Sequence, residues 1–272
     1  MARDPMAQVM GRLKRRLRSS AGVKDRFESG PRLHQDSPEG EVQSDHEGPS
    51  VPVPPPPFLK GQALDRFLSI RNKLIDQVQQ RPVQMMSVTS ARRREGKTTV
   101  SICLACTFAM QNPERVLLID ANLRDPAIHT YLKVPVSPGL SDVLQDDFDL
   151  KDVITEAKDY PLYLIPAGTR PRTSPSELFL SSRFPRAVET LRTLFDTIIL
   201  DTPGVNLYSD LELMAGHLDG TLLVIESDRS QLSAIHQATL AIQAAHAPII
   251  GVVLNRHRNI LPGFLQNFLG VE

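Results

Sequence analysis

A glycine- and lysine-containing loop is the first feature of this sequence with clear chemistry. The stretch ARRREGKTT follows an apolar run and opens a stretch of helical character. It matches the pattern G-x-x-x-x-G-K-[ST], except that alanine replaces the first glycine. In such a loop, successive backbone N–H groups wrap phosphate oxygens, and the following helix directs its positive dipole end at them. We therefore predict a phosphate-binding loop (P-loop) made of Ala91, Arg92, Arg93, Arg94, Glu95, Gly96, Lys97, Thr98 and Thr99.

Individual residues of this loop have distinct predicted roles. Lys97 would reach the β- and γ-phosphates of a nucleotide, and the Thr98 hydroxyl would bind Mg²⁺. Gly96 would let the backbone approach the phosphates closely. Arg94 stands where glycine is common, so a positive φ there would cost about 1–2 kcal/mol relative to glycine. The three arginines add positive potential beside a polyanion.

Two aspartates each end an apolar run. Asp120 follows VLLI, and Asp201 follows IIL. Because ligands bind at the carboxyl edge of open α/β sheets, both carboxylates are expected at that edge. Either one alone could be an ordinary strand-end residue. Beside a P-loop, however, two carboxylates can hold a metal and orient a nucleophile. We predict that Thr98, Asp120 and Asp201 bind Mg²⁺, and that Lys97, Asp120 and Asp201 are the catalytic residues.

Other reactive side chains favour structural roles. Cys103 and Cys106 form C-x-x-C, but they lie in the predicted helix after the P-loop, where small apolar residues pack on a sheet. The seven histidines show no paired metal-ligand spacing, so no transition metal is assigned. Asn255 ends the last apolar run, where asparagine commonly forms a turn.

The elements that must position these residues alternate between strand-like and helical stretches. Short continuous apolar runs are typical of strands covered on both faces, as in a parallel sheet. They occur at 83–89, 116–119, 162–165, 197–200, 221–225 and 249–254. Helical stretches are predicted at 64–78, 98–110, 176–194 and 230–245, with Arg71 as an unexpected charge on the first apolar stripe. The fold class is therefore α/β, a mostly parallel sheet flanked by helices on both faces with right-handed crossovers.

Composition divides the chain into three predicted segments. Residues 1–18 combine apolar residues at helical spacing with basic ones, which is typical either of binding to an anionic membrane or partner, or of a solvated basic tail. Residues 19–60 are rich in Pro, Gly, Ser and acidic residues and predict a disordered linker. Residues 61–272 predict one compact domain. The net charge of +0 gives no reason to expect nucleic acid. No signal or membrane-spanning run is apparent, so a cytoplasmic location is expected.

The order of these motifs identifies a resemblance. Residues 87–255 resemble the cytoplasmic kinase domain of bacterial tyrosine kinases of capsule and exopolysaccharide synthesis, within the MinD/ParA group of P-loop ATPases. The matching stretches are SVTSARRREGKTT, VLLIDANLRDPAIH, PGLSDVL, SPSELF, FDTIILDTPG, SDLELMAGHLDGTLLVIES and IIGVVLNR.

This resemblance implies further roles. Asp120 matches the first acid of a second Walker A-like motif, which activates an incoming tyrosine hydroxyl, and Asp201 matches the Walker B acid. Asn255 matches a position facing the adenine in related ATPases. The family also implies ATP and Mg²⁺ as ligands, a homo-oligomer, and a membrane-embedded polysaccharide chain-length regulator as the activating partner.

Several positions depart from the family pattern. Asn122 replaces the second acid of the Walker A-like motif, and Arg93–Arg94 replaces a frequent Pro-Gly. Of the ring-assembly motif E-x-x-R-x-x-R, aligned on Asp65 and Leu68, only Arg71 is retained. The last tyrosine is Tyr208, so this sequence lacks the tyrosine cluster that such kinases phosphorylate in their tails.

Three functions stay open at this point. The first is a tyrosine kinase acting in exopolysaccharide synthesis. The second is a MinD/ParA-type regulatory ATPase acting at a membrane or partner, although Arg92 replaces the additional lysine of that group. The third is a scaffold that binds ATP without turnover, which Arg94 and Asn122 would permit.

Overall fold

The computed structural model describes residues 59–78, 83–111, 115–157, 160 and 162–256. The predicted basic segment 1–18 and nearly all of the predicted linker 19–60 lie outside this range, as do residues 257–272. Leu59, two residues before the predicted start of the domain, is fully buried in the hydrophobic core. Packing therefore begins slightly earlier than the composition indicates.

The described chain alternates strands with helices. The helices are α1 (Gln62–Val78), α2 (Lys97–Ala109), α3 (Ile128–Leu132), α4 (Leu140–Leu144), α5 (Leu150–Val153), α6 (Pro175–Leu180), α7 (Arg183–Leu194), α8 (Asp210–Met214) and α9 (Leu232–Ala244). The strands are β1 (Met85–Ser90), β2 (Val116–Asp120), β3 (Thr155–Glu156), β4 (Tyr163–Ile165), β5 (Thr197–Asp201), β6 (Gly220–Glu226) and β7 (Ile249–Asn255).

Within the described residues the strands form one seven-stranded sheet in the order β3-β4-β2-β5-β1-β6-β7. Every pairing is parallel except that of β3 with β4. The predicted mostly parallel α/β fold is therefore confirmed. The register places Asp120 of β2 directly beside Asp201 of β5. Since both residues end parallel strands, their carboxylates share one edge of the sheet.

The core explains why α2 carries so few polar residues. All but three of its residues are buried, because it packs between the sheet and α1. Cys103 and Cys106 are both free thiols in this core. Burial raises the pKa of the Cys103 thiol to about 12, and it raises that of Cys106 as well. Such thiols are unreactive, in agreement with the predicted packing role.

Arg71, the unexpected charge on the apolar stripe of α1, has a structural explanation. Its guanidinium donates a 2.9 Å hydrogen bond to the carbonyl of Thr107 in α2 and bonds the Asn72 side chain as well. The side chain therefore joins α1 to α2 at the rim of their contact. Long cationic side chains can cover apolar surface in this way while their head groups stay solvated.

The predicted helix over residues 176–194 is wrong as a single element, because two helices are observed. α6 begins after Ser174, whose hydroxyl accepts a hydrogen bond from the Glu177 backbone N–H. It ends at Leu180. The next residue, Ser181, has an extended ψ of 149°, and its hydroxyl donates a hydrogen bond to the Leu178 carbonyl. Such local side-chain bonds compete with helix continuation. The short elements α3, α4, α5, β3 and α8 had no periodic signal and were not predicted.

None of the helices in the described ranges is both long enough and apolar enough to cross a bilayer.

Candidate nucleotide-binding site

The P-loop has the backbone that its glycine pattern requires. Gly96 has a φ of 94° and Arg94 a φ of 66°, so both residues are left-handed. Arg94 therefore carries the backbone cost expected for a side chain there, about 1–2 kcal/mol. At Gly96 an added Cβ would lie 1.9 Å from the Asn255 Nδ2 atom. Gly96 is therefore required both by the backbone conformation and by this close contact.

Two side chains of the loop tie it to the segment after β6. The Glu95 carboxylate accepts a 2.8 Å hydrogen bond from the Arg92 backbone N–H and a second, short one from the Ser230 hydroxyl. The Arg92 guanidinium donates to the Gln231 side chain at 2.8 Å. Glu95 is 3% exposed, so the hydrogen bonds of its carboxylate are largely shielded from water. The sequence pattern contains no signal for this anchoring, because the partners lie more than a hundred positions apart.

Asp201 is held by the first turn of α2. Its carboxylate accepts a hydrogen bond from the Thr98 hydroxyl at 2.6 Å, and it shares the Ser101 hydroxyl, at 3.2 Å, with the Lys97 carbonyl at 3.0 Å. The side chain is fully buried. Burial raises the pKa of Asp201 to about 6, although these hydroxyls and the Lys97 ammonium act in the opposite direction. Burial also lowers the pKa of Lys97, against the attraction of Asp201.

Asp120 has a less complete set of partners. One carboxylate oxygen accepts 3.1 Å bonds from the backbone N–H groups of Ala127 and Ile128 at the start of α3. The other oxygen, Oδ1, is buried and has no hydrogen-bond partner. Burial, and after it the neighbouring Asp201 carboxylate, raise the pKa of Asp120 well above its usual value. A buried acceptor without a partner is costly, so this atom indicates a place for a cation or a proton.

A cleft of about 300 Å³ is lined by the P-loop and by residues that follow β2 and β5, although neither Asp120 nor Asp201 is itself among its lining residues. Its lining is dominated by cationic side chains, whereas Asp125 is its one acidic lining residue. A cleft lined by one sign of charge raises the local concentration of a ligand of the opposite sign. The lining cations are Arg93, Arg94, Lys97, Arg229 and Arg256.

A cluster around Arg124 forms the neighbouring wall. The Arg124 guanidinium makes a forked ion pair with the fully buried carboxylate of Asp210, at 2.8 and 2.9 Å. It also donates to the Ser176 hydroxyl and lies 4.1 Å from the centre of the Tyr208 ring. The Tyr208 hydroxyl accepts a 2.7 Å hydrogen bond from Arg93 of the P-loop. This cluster joins the segments after β2 and β5 to the loop. The sequence pattern contains no signal that connects Arg124 to Asp210 or Tyr208.

The residues predicted for the site are brought together to different extents. Gly96, Lys97, Thr98, Thr99 and the two arginines before Glu95 line the cleft. Asp201 accepts a hydrogen bond from the lining residue Thr98, and Asp120 is the register partner of Asp201 on the neighbouring strand. Ala91 is buried, and the Arg92 guanidinium is engaged by Gln231. Asn255 packs against the P-loop and donates to the Glu95 carbonyl at 2.9 Å, outside the lining of this cleft.

The donor set suits a magnesium nucleotide. No cluster of three or more metal-ligating side chains occurs in the described ranges. Magnesium does not need one, because it is usually held by one or two carboxylates together with water and phosphate oxygens. The unpartnered Asp120 Oδ1 and the adjacent Thr98–Asp201 pair are hard oxygen donors of this kind. When bound, the metal would neutralise phosphate charge.

A family model described as an AAA domain matches residues 83–249. This range spans more than half of the chain and includes the P-loop and both aspartates. The chain therefore belongs to this family of P-loop ATPases. Within it, the chain belongs with the bacterial tyrosine-protein kinases, on the evidence of its relatives.

The chain is 31% identical over 174 residues to the tyrosine-protein kinase CpsD of Streptococcus agalactiae, covering 64% of this chain and 74% of that protein. It is 28% identical over 191 residues to the tyrosine-protein kinase YwqD of Bacillus subtilis, covering 70% and 80%. Among solved structures, the kinase domain of the Escherichia coli tyrosine kinase ETK matches with a TM-score of 0.71 and 27% identity, covering 76% and 83%. The chain is thus a kinase or related ATPase, with ATP and Mg²⁺ as its ligands.

Proposed function

We propose that this chain is a protein-tyrosine kinase that transfers the γ-phosphoryl group of Mg-ATP to tyrosine and so regulates exopolysaccharide or capsule synthesis and export. One observation carries the proposal. Two buried carboxylates, Asp120 and Asp201, lie side by side at the end of parallel strands, beside a lysine-bearing P-loop. A simple nucleotide-binding scaffold would have no need for two adjacent buried acids with raised pKa values.

Each residue has a role in this proposal. The P-loop backbone and Lys97 bind the β- and γ-phosphates, and Thr98, Asp201 and Asp120 would hold Mg²⁺. The arginines at the mouth of the cleft place the nucleotide and offset the charge that develops on the transferred group. Asp120 receives the proton of the attacking tyrosine hydroxyl. In the ligand-free protein, burial raises the pKa of this carboxyl above its usual value, and a raised pKa makes the ionised form a stronger base.

The test is transfer of labelled phosphate from ATP to a glutamate–tyrosine copolymer in the presence of Mg²⁺. Lys97→Ala should abolish transfer, because it removes the cation that faces the phosphates. Lys151→Ala is a matched control, since this lysine is exposed and bonded only to Asp149. Transfer that is equal in wild type and Lys97→Ala would overturn the proposal. ATP hydrolysis without transfer to any tyrosine would instead favour a MinD/ParA-type regulatory ATPase.

We further propose that the chain works in the cytoplasm at the inner face of the cell membrane, with a membrane-embedded chain-length regulator as activator and with assembly into a homo-oligomer. The resemblance and the basic segment 6–18, which lies outside the described residues, support this proposal. Co-sedimentation with anionic liposomes tests the membrane part. Deleting residues 1–20 should abolish binding if the segment acts as an anchor, and unchanged binding would remove its support.

A further inference from the structure

The structure divides the four tyrosines of the chain into two groups. Tyr163 is 4% exposed in β4, with its ring tilted against Phe195 at 5.5 Å. Tyr160 is packed against the hydrophobic core. Tyr163 is therefore buried in the interior, and Tyr160 is partly buried against the core. Tyr131 and Tyr208, by contrast, line the same cleft as Lys97 and Thr98. Only these two tyrosines share a cavity with the phosphate-binding residues in the described part of the chain.

Tyr208 is the more tightly positioned of these two. Its hydroxyl oxygen accepts a 2.7 Å hydrogen bond from Arg93, a residue of the loop that wraps the phosphates. Its ring lies under the Arg124 guanidinium at 4.1 Å, and Arg124 is itself fixed by the buried Asp210. Tyr131, the other tyrosine of this cleft, is 51% exposed. Hence the phenol of Tyr208 is held against the P-loop by cations from two different segments, which limits the rotations that would carry it away.

The surroundings of Tyr208 also suit a phosphorylated product. A phosphotyrosine carries nearly two negative charges and three acceptor oxygens, and guanidinium groups bind such a group through charge-assisted hydrogen bonds. Arg93 already contacts the oxygen that would carry the phosphate. The phosphate would then lie close to the sites of the β- and γ-phosphates. Its charge would oppose rebinding of ATP, so the modification would limit itself to one event per chain.

From this geometry we infer that Tyr208 is a phosphoacceptor that the chain phosphorylates within its own nucleotide cleft. The inference rests on the proposed kinase function and names one of its substrates. The Tyr208 Oη atom forms a bond to the γ-phosphorus, and the bond from this phosphorus to the oxygen that bridges to the β-phosphate breaks. ADP leaves with that oxygen and its electron pair. This transfer differs from that to an incoming tyrosine, because the Tyr208 hydroxyl contacts Arg93 and not Asp120. The phenolic proton is therefore released to the water of the open cleft, so ATP and tyrosine give ADP, phosphotyrosine and one proton.

The experiment is phosphosite mapping by mass spectrometry after the full chain is incubated with ATP and Mg²⁺. Phosphate should appear on the peptide that contains Tyr208, at no more than one phosphate per chain. Tyr208→Phe should reduce the incorporation to the level of Lys97→Ala. Tyr131→Phe, the matched variant at the other tyrosine of the cleft, should retain it. The fraction modified per unit time should be unchanged on dilution, because the transfer is intramolecular.

A parallel reaction with the glutamate–tyrosine copolymer distinguishes a failure of the Tyr208 inference from a failure of the proposed kinase function. Transfer to the copolymer with no phosphate on Tyr208 overturns this inference and leaves the proposed kinase function intact. Phosphate on Tyr208 whose rate falls with dilution overturns the intramolecular assignment. Phosphate that maps to Tyr131 in its place also overturns the inference. Transfer to neither acceptor, although ATP binds, overturns both the inference and the proposed kinase function. A nucleotide-binding measurement on each variant excludes misfolding as the cause of a loss.

Discussion

The ends of β5 and β2 differ in how they hold their aspartates, although the two residues are neighbours in register. Asp201 at the end of β5 receives two side-chain hydroxyls and lies near Lys97. Asp120 at the end of β2 receives two backbone N–H groups and keeps one oxygen without a partner. The pKa is raised at both residues, but only Asp201 has a cation among the causes that act against the rise.

The difference indicates a division of work. The β5 end is complete before any ligand arrives, because α2 supplies its donors. The β2 end is incomplete, since a buried carboxylate oxygen without a donor costs about 1–3 kcal/mol until a cation or proton reaches it. We interpret the β5 end as the part that positions metal and nucleotide. Ligand binding stabilises the β2 end, because it supplies a partner for the Asp120 oxygen that has none.

The largest effects should come from exchanging the two aspartates for asparagine. Each of Asp201→Asn and Asp120→Asn should lower turnover by about 10²–10³-fold, the usual cost of removing one preorganised electrostatic group. Asp120→Asn should also weaken binding of Mg-ATP more than Asp201→Asn does, because a bound cation supplies the partner that the Asp120 oxygen lacks, whereas Asp201 already has its donors. Steady-state kinetics and titration calorimetry measure the two quantities. Equal losses of affinity in both variants would contradict the division of work.

The next largest effect should follow from Arg124→Gln. This change leaves the fully buried Asp210 carboxylate without its forked partner, and breaking a buried pair in this way costs about 3–5 kcal/mol of folding stability. The measurement is the free energy of unfolding in urea. Arg115→Gln is a suitable control, because its ion pair with Asp196 lies at the surface, where such pairs contribute about 1 kcal/mol or less. Similar losses in both variants would refute the proposed importance of the Arg124 cluster.

A smaller effect should appear in the pH dependence of the nucleotide-free protein. The pKa of Asp201 is raised from 3.8 to about 6, so the folded state binds a proton more tightly than the unfolded chain does. The unfolding free energy should therefore rise as the pH falls from about 6 towards about 4, by at most about 1.4 kcal/mol per pH unit for one group. Above about pH 6 the full cost of the ionised carboxyl is present. Denaturant titrations at several pH values check the slope.

The same pH series sharpens the comparison between the two strand ends. In the absence of Mg²⁺, Asp201→Asn should make this part of the profile less steep, because it removes one of the two neighbouring carboxyls whose pKa is raised. A profile that stays as steep as that of wild type would show that Asp201 is not responsible for it.

The smallest effect should come from Ser101→Ala, which removes one donor from Asp201 at the β5 end. The loss of this hydrogen bond should cost about 0.5–1.5 kcal/mol of stability. Thr107→Ala is the matched control on the same helix, because its buried hydroxyl bonds the Leu104 carbonyl and does not contact Asp201. Binding of Mg-ATP should weaken a few-fold for Ser101→Ala and stay unchanged for Thr107→Ala. A reversed order would contradict the assignment of Ser101.

Much of the sheet could be predicted from the sequence, because parallel strands buried on both faces are continuous apolar runs. The runs that end at Asp120 and Asp201 were located to within one residue of β2 and β5. The break at Ser181 was missed, although Pro185 lies in the first turn of α7 and has no N–H to donate to the Ser181 carbonyl, which disfavours a continuous helix there. The short helices α3 and α8 were missed because five residues are too few to establish a period.

The sequence by itself determined the P-loop, the two strand-end aspartates, the fold class and the membership of a kinase family. These features depend on residue type and local spacing, which a linear pattern preserves. Only the tertiary structure decided which groups meet: Glu95 with Ser230, Arg124 with Asp210, and Arg93 with Tyr208. It also decided that Asp120 keeps an oxygen without a partner while Asp201 does not. Such pairings depend on the order and register of the strands, and these are set by packing across the whole sheet.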